Sequence, residues 1–208
     1  MLDAMSDDTD RLLHLDHRLY DLLFEQRALL LGEPLEDYNT NRLCTGLLVL
    51  AAADPKAEIR LLINSPGGSV PGMLAIRDCM RTIPNDVVTV NLGMAYSAGQ
   101  FLLSSGTRGR RYTMPHARVL LHQGSAGIGG TAPDIAIQAD DLRNTRDTVL
   151  GCIAEDTGQP LERVEADSRR DRWYSAVEAV EYGFVDHVIS SLGEILPSRT
   201  SIGLGVPA

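Results

Sequence analysis

Positive charge is scarce in this chain. Nineteen lysines and arginines face 28 aspartates and glutamates, a formal net charge of −9. No basic patch is interleaved with aromatics, so a nucleic-acid role is disfavoured. The acidity instead suits keeping a large assembly soluble. Cysteine is also sparse: Cys44, Cys79 and Cys152 are scattered, odd in number and form no C-x-x-C pair. A disulfide framework is thereby excluded, and buried thiols in a reducing compartment are expected. His14, His17, His116 and His187 show no ligand spacing, so no metal is expected. The run Leu29-Leu30-Leu31 is far too short to cross a bilayer. The start, with Asp3, Asp7, Asp8 and Asp10, lacks the basic and apolar regions of a signal peptide. A cytoplasmic location is the expectation.

What is present is an alternation of strand and helix. The 208 residues suffice for one domain with a real core. Residues 1–15 read as an acidic, flexible segment. Asp16 to Gln26 has helical spacing with Leu19, Leu22 and Leu23 on one face, and Arg27 to Gly32 reads as a strand. Asn39 to Asp54 carries Leu43, Leu47, Leu50 and Ala51 at helical period and stops before Pro55. Strand and helix then alternate from Ile59 to Ser105, the sign of βαβ units and a parallel sheet. Tyr112 to Met114 and Arg118 to His122 add strands, and Thr131 to Thr157 is a long helix. Its stripe of Ile135, Leu142 and Val149 is narrow and surrounded by charge, which suits an element meeting a partner. There is no internal repeat, and no low-complexity block beyond the glycine run at 124–130.

Four stretches carry chemistry. Val87 to Leu92 is apolar and β-branched, and it leads into Gly93-Met94-Ala95-Tyr96-Ser97-Ala98-Gly99 and a new helix. A serine on such a strand-to-helix turn is raised on a rigid elbow beside unpartnered helix N–H groups, which can stabilise an oxyanion. Taken alone, an N-cap is the commoner use of such a serine. The second stretch, Arg118 to Gln123, ends a short apolar strand in His122, placed as a general base where scaffold meets loop. The third, Arg169 to Ala176, sets Asp171 among three arginines. It reads either as a salt-bridge cluster or as the carboxylate that orients His122. The fourth is the strand Ile59 to Asn64 running into Ser65-Pro66-Gly67-Gly68-Ser69-Val70. There the glycines let a substrate backbone approach, and Ser69 can cap the next helix.

These blocks together resemble the ClpP family, the proteolytic subunit of the ATP-dependent Clp protease. The match rests on I-N-S-P-G-G-S at Ile63 to Ser69, G-x-A-x-S-x-G at Gly93 to Gly99 and L-H-Q at Leu121 to Gln123. It extends to T-G-Q-P-L-E-R-V-E at Thr157 to Glu165 and to R-D-R-W-Y-S-A-V-E-A-V-E-Y-G-F-V-D at Arg170 to Asp186. The blocks follow the family's order and spacing from about Asp16 to Ile189.

The resemblance implies an α/β fold, the ClpP/crotonase-like ββα spiral with a protruding handle helix. Residues 16–190 would form the protease domain (head 16–123 and 159–190, handle 124–158), followed by a tail at 191–208. It implies a serine endopeptidase with Ser97 as nucleophile, His122 as base and Asp171 as orienting acid. The backbone N–H groups of Gly68 and Ala98 would form the oxyanion hole. Substrate would add as a strand between Gly68, Ser69 and Val70 on one side and Ser125 to Gly127 on the other. Two stacked heptameric rings, of this chain or with paralogues, would enclose the sites. An AAA+ unfoldase of the ClpX, ClpA or ClpC type would deliver unfolded polypeptides and spend the ATP, so the subunit itself needs no cofactor.

Some positions depart from the family pattern. Tyr96 stands where a small residue is common, Ala98 replaces a methionine, and Gly124 replaces a proline. Arg60 and Leu62 occupy places that are often aromatic in the family and help build the pockets for the unfoldase loops. An alternative reading follows: a weakly active or inactive structural ring subunit that works in a hetero-oligomer with a paralogue. A crotonase acting on acyl-CoA shares the spiral and the backbone oxyanion hole, but it has no need of Ser97, His122 and Asp171 together.

Overall fold

The computed structural model describes residues 18–124, 127–191 and 193. The acidic segment 1–15, Ser125, and the tail apart from 191 and 193 lie outside the described residues. Five strands run parallel in the order β1 (Ala28–Leu31), β2 (Ile59–Ser65), β3 (Val87–Tyr96), β4 (Arg111–Thr113) and β7 (His187–Val188). Strands β1 and β2 are apolar and buried nearly throughout, as expected of parallel strands covered on both faces.

β3 is longer than its apolar run predicts and serves two partners on one edge. Thr89–Asn91 pair with β4, and Met94–Tyr96 pair with β5 (Arg118–Leu121). The pairing with β2 slips between Ile63 and Ser65. There Asn64 Oδ1 accepts the Met94 N–H at 3.1 Å, and a Cβ on Gly93 would lie only 2.9 Å from that oxygen. Glycine at 93 thus makes room for the bulge that redirects the end of β3. β6 (Arg172–Tyr174) adds antiparallel to β5 and, among the described residues, forms an edge. The sequence reading contains neither β6 nor β7, which are too short to show a period.

Helices fill the faces. Residues 18–25 (α1) are helical, followed by α2 (Asp37–Ala53), α3 (Val70–Thr82) and α4 (Ala98–Ser104). α5 (Ala132–Thr157), α6 (Leu161–Ser168) and α7 (Ala176–Tyr182) complete the set. Leu43, Leu47 and Leu50 of α2 and Met73, Ile76 and Met80 of α3 join Ile59, Leu61 and Ile63 in the core. The three cysteines are free but only half-buried, where full burial is the sequence expectation.

α5 has 26 residues, about 39 Å of helix. Its start is fixed by a capping box between Thr131 and Asp134, and its end by the left-handed Gly158. Only Leu150, Ile153 and Asp156, all in its last turns, are buried. The first half stands in solvent, with Ile135 39% and Ile137 69% exposed. A buried charge anchors the other end. Asp156 accepts two hydrogen bonds from Arg77, both 3.1 Å, and one from Ser105 Oγ at 3.0 Å, and it also contacts Arg81. Burial works against the Arg77 charge, but Asp156 outweighs it and holds the guanidinium more basic than usual. Arg111 donates to the Asp156 carbonyl at 2.7 Å and to Asp186 at 2.6 Å, tying α5 to β4 and β7.

Removing one member of a buried ion pair strands the others. Asp156→Ala is therefore expected to cost about 3–5 kcal/mol, read as a lowered midpoint in denaturant unfolding. An unchanged midpoint would contradict this anchoring.

Candidate active site

Ser97 occupies the single-residue turn between β3 and α4. Its φ is +55°, in the left-handed region that a residue with a Cβ seldom adopts. Three contacts hold it there. Its N–H donates to the Leu120 carbonyl of β5 at 3.0 Å, and its carbonyl accepts from Phe101 at 3.0 Å. The third is Gly67, where a Cβ would come within 2.7 Å of the Ser97 Cβ and 2.8 Å of the Tyr96 oxygen. Ser97 is the N-cap residue of α4, yet its hydroxyl makes no capping hydrogen bond. The side chain is left free of the structural role that such a serine most often fills.

The Pro-Gly-Gly turn after β2 is held as firmly. Ser65 Oγ donates to the Glu33 carbonyl at 2.7 Å and accepts the Gly67 N–H at 3.2 Å. Gly68 forms a parallel bridge with Leu35, made by Leu35 N–H to Gly67 O and Ser69 N–H to Leu35 O, both 2.8 Å. In such a bridge the central residue's own N–H and carbonyl point away from its partner. Gly68 thus presents both groups on the side opposite Leu35. Its φ of +145° and the 2.2 Å separation of a Cβ from the Leu35 oxygen require glycine. Ser69 caps α3 as predicted, accepting from Gly72 at 3.1 Å, and Val70 opens that helix. Ala98 opens α4, so its N–H lacks a partner within the helix.

His122 follows β5 and Asp171 precedes β6. The antiparallel register places Leu121 opposite Arg172, which brings the next pair outward, His122 and Asp171, together. Asp171 Oδ1 lies 3.3 Å from His122 Nδ1. Of the neighbouring arginines, Arg169 pairs with Glu165 and Arg172 with Asp167, and the ion-pair partner given to Asp171 among the described residues is His122. The Asp171 side chain is 63% exposed and that of His122 29%. Gln123 secures the chain just after His122, bonding Ser168 through its N–H (2.8 Å) and its side-chain amide (3.2 Å).

Ser97 and His122 open onto one cavity of about 330 Å³. Val70, Met73, Phe101, Val149 and Ile153 give it an apolar wall, and Arg143 and Arg146 of α5 also line it. No cysteine lines this cavity, and burial, then the adjacent Cys79, pushes the Cys44 thiol up to about 12, while burial raises Cys152. The structure therefore brings Ser97, His122, Asp171, Gly68 and Ala98 into one region. Gly127 stands in an exposed loop where a Cβ would meet no atom within 4 Å. Sequence reasoning missed Leu35, whose signal is backbone pairing rather than residue type, and saw Gln123 only as part of the Leu-His-Gln motif, without its tie to Ser168. A hydroxyl, an imidazole backed by a carboxylate, and backbone N–H groups not used within a helix are the parts that acyl transfer needs.

Gly67→Ala is expected to displace Ser97 and slow its labelling by a fluorophosphonate about a hundredfold, with circular dichroism unchanged. Labelling at the parent rate would contradict the tight approach of Gly67.

A family model described as Clp protease matches residues 14–192. The ATP-dependent Clp protease proteolytic subunit 3 of Streptomyces coelicolor is 52% identical over 191 residues, covering 92% of this chain and 88% of the relative. Subunit 3 of Rhodococcus jostii is 52% identical over 188 residues (90% and 93%). Subunit 1 of Corynebacterium jeikeium is 51% identical over 181 residues (86% and 96%). With most of both chains aligned, and the α/β fold that the motifs lead one to expect in place, this chain belongs to the Clp protease family.

Proposed function

We propose that the chain is a serine endopeptidase subunit of a barrel-shaped, compartmentalised protease. The observation that carries this reading is the uncapped Ser97 hydroxyl on a left-handed turn, sharing a cavity with His122. His122 takes the Ser97 proton as the oxygen attacks a peptide carbonyl, and Asp171 orients the imidazole and stabilises its charged form. The oxyanion rests on the N–H groups of Gly68 and Ala98. After the amine leaves, water attacks the acyl-enzyme with His122 again as base. Substrate lies as a strand along Gly68 to Val70, where backbone pairing gives affinity with little side-chain selectivity. Access is restricted instead by assembly into stacked rings, in the cytoplasm, with an ATP-dependent unfoldase feeding the chamber. The relatives' names support the last point, since each is a subunit of an ATP-dependent Clp protease.

One observation favours a second reading, a ring subunit that is weak alone and works beside a paralogue. Asp171 is mostly exposed, and 3.3 Å is long for a charge-assisted hydrogen bond. Among the described residues His122 is the ion-pair partner of this carboxylate, so further contacts from a neighbour would tighten its alignment.

Ser97→Ala is expected to lower hydrolysis of an unstructured peptide by about three decades or more. Turnover surviving in that variant, freed of parent protein, would contradict the assignment. On the second reading the pure chain is nearly inert and gains turnover when co-assembled with a paralogue.

A further inference from the structure

Across the end of the sheet, Tyr96 of β3 pairs with Leu120 of β5, and Leu120 pairs with Trp173 of β6. The residues one step earlier or later along each strand, Ala95, Val119 and Tyr174, form the adjacent row and are buried. Strand alternation therefore places Tyr96, Leu120 and Trp173 together on the other, outer face. There the Tyr96 ring reaches over Leu120 and meets Trp173 edge to face, with centroids 4.7 Å apart and planes at 82°. Leu120 is only 7% exposed beneath them, while Trp173 remains 45% exposed. The geometry is the favourable one for an aromatic pair.

This contact joins the strand end that leads into Ser97 to the strand that follows Asp171. Tyr96 is one residue before Ser97, and Trp173 is two residues after Asp171. β6 is three residues long and, among the described residues, pairs only with β5. Tyr174 at its far end is anchored in the core against Tyr182 and Phe184, which leaves the end beside Asp171 the less constrained one. The carboxylate at its start is exposed and sits at a long 3.3 Å from His122. The nucleophile's turn, by contrast, is fixed from three sides.

We infer that Tyr96 is a positioning residue, whose ring clamps β6 through Trp173 and so holds Asp171 against His122. This rests on the serine-peptidase reading of Ser97, His122 and Asp171. It gives a role to a bulky side chain that stands where a small one would let the strand drift. The ring acts by packing, so its hydroxyl is dispensable.

The test uses the assembled protein, with the second-order rate of fluorophosphonate labelling at Ser97 and the kcat and KM of peptide hydrolysis as readouts. Tyr96→Ala is expected to slow labelling and lower kcat about tenfold with little change in KM, the effect of losing about one aromatic contact. Tyr96→Phe keeps the ring and is expected to restore both to within about twofold of the parent. In an Asp171→Asn background, Tyr96→Ala is expected to add less than about a twofold effect, because residues acting through one another are not additive. Emission from Trp173, the chain's only tryptophan, is expected to change in Tyr96→Ala and not in Asp171→Asn. Full activity in Tyr96→Ala, or a tenfold loss that persists beside Asp171→Asn, would overturn the role. Should Tyr96→Ala fail to fold, Trp173→Leu removes the same contact and carries the same test. A parent protein unlabelled at Ser97 would instead overturn the serine-peptidase reading, and this role with it.

Discussion

The site depends on a backbone conformation that its residue does not favour. A serine with φ near +55° costs on the order of 1–2 kcal/mol relative to ordinary backbone. It persists because Gly67 leaves no space for the turn to relax and because Leu120 and Phe101 take up its backbone groups. The long β3 makes this possible. Its near end belongs to the parallel sheet, and its far end, redirected where Gly93 admits Asn64, meets β5. The strain is thus set by long-range packing, and its result is a hydroxyl lifted away from the helix it would otherwise cap.

The two halves of the site differ in how firmly they are built. Around Ser97 and Gly68 the chain is over-determined by backbone bonds, by glycines with no room for a Cβ, and by the small Ser65 and Ser69 hydroxyls. Around Asp171 a three-residue edge strand and one exposed contact do the same work. α5 shows a similar contrast along its length. Its base is locked by Asp156 among arginines, while its outer turns carry exposed isoleucines. On the proposed reading, a firmly held Ser97 beside a less constrained Asp171 is an arrangement that a neighbouring subunit would complete. The exposed half of α5 is suited to meeting such a neighbour.

Much of this was legible in the residues. The buried strands announced themselves as apolar, β-branched runs, and the helices of the first half by their leucine spacing, with ends misplaced by only a few residues. Ser97, His122 and the Gly-Gly turn were visible because strand ends adjoined small residues. Asp171 was visible only as an ambiguity, since its arginine neighbours read equally well as its partners. What resolved it was register: β5 and β6 run antiparallel, and no local pattern in Arg172-Trp173-Tyr174 encodes that. The bond between Asp156 and Arg77 joins residues 79 apart and leaves no periodic trace. The same holds for Leu35 against Gly68, where the interaction is between backbones and the side chains carry no signal.

The most direct measurement is a crystal structure of the assembled protein after reaction with a peptide boronic acid. Boron is expected bonded to Ser97 Oγ, with one boronate oxygen at the N–H groups of Gly68 and Ala98 and the peptide paired with Gly68 to Val70. A boronate bonded to another residue, or one whose oxygens ignore Gly68 and Ala98, would contradict the proposed site.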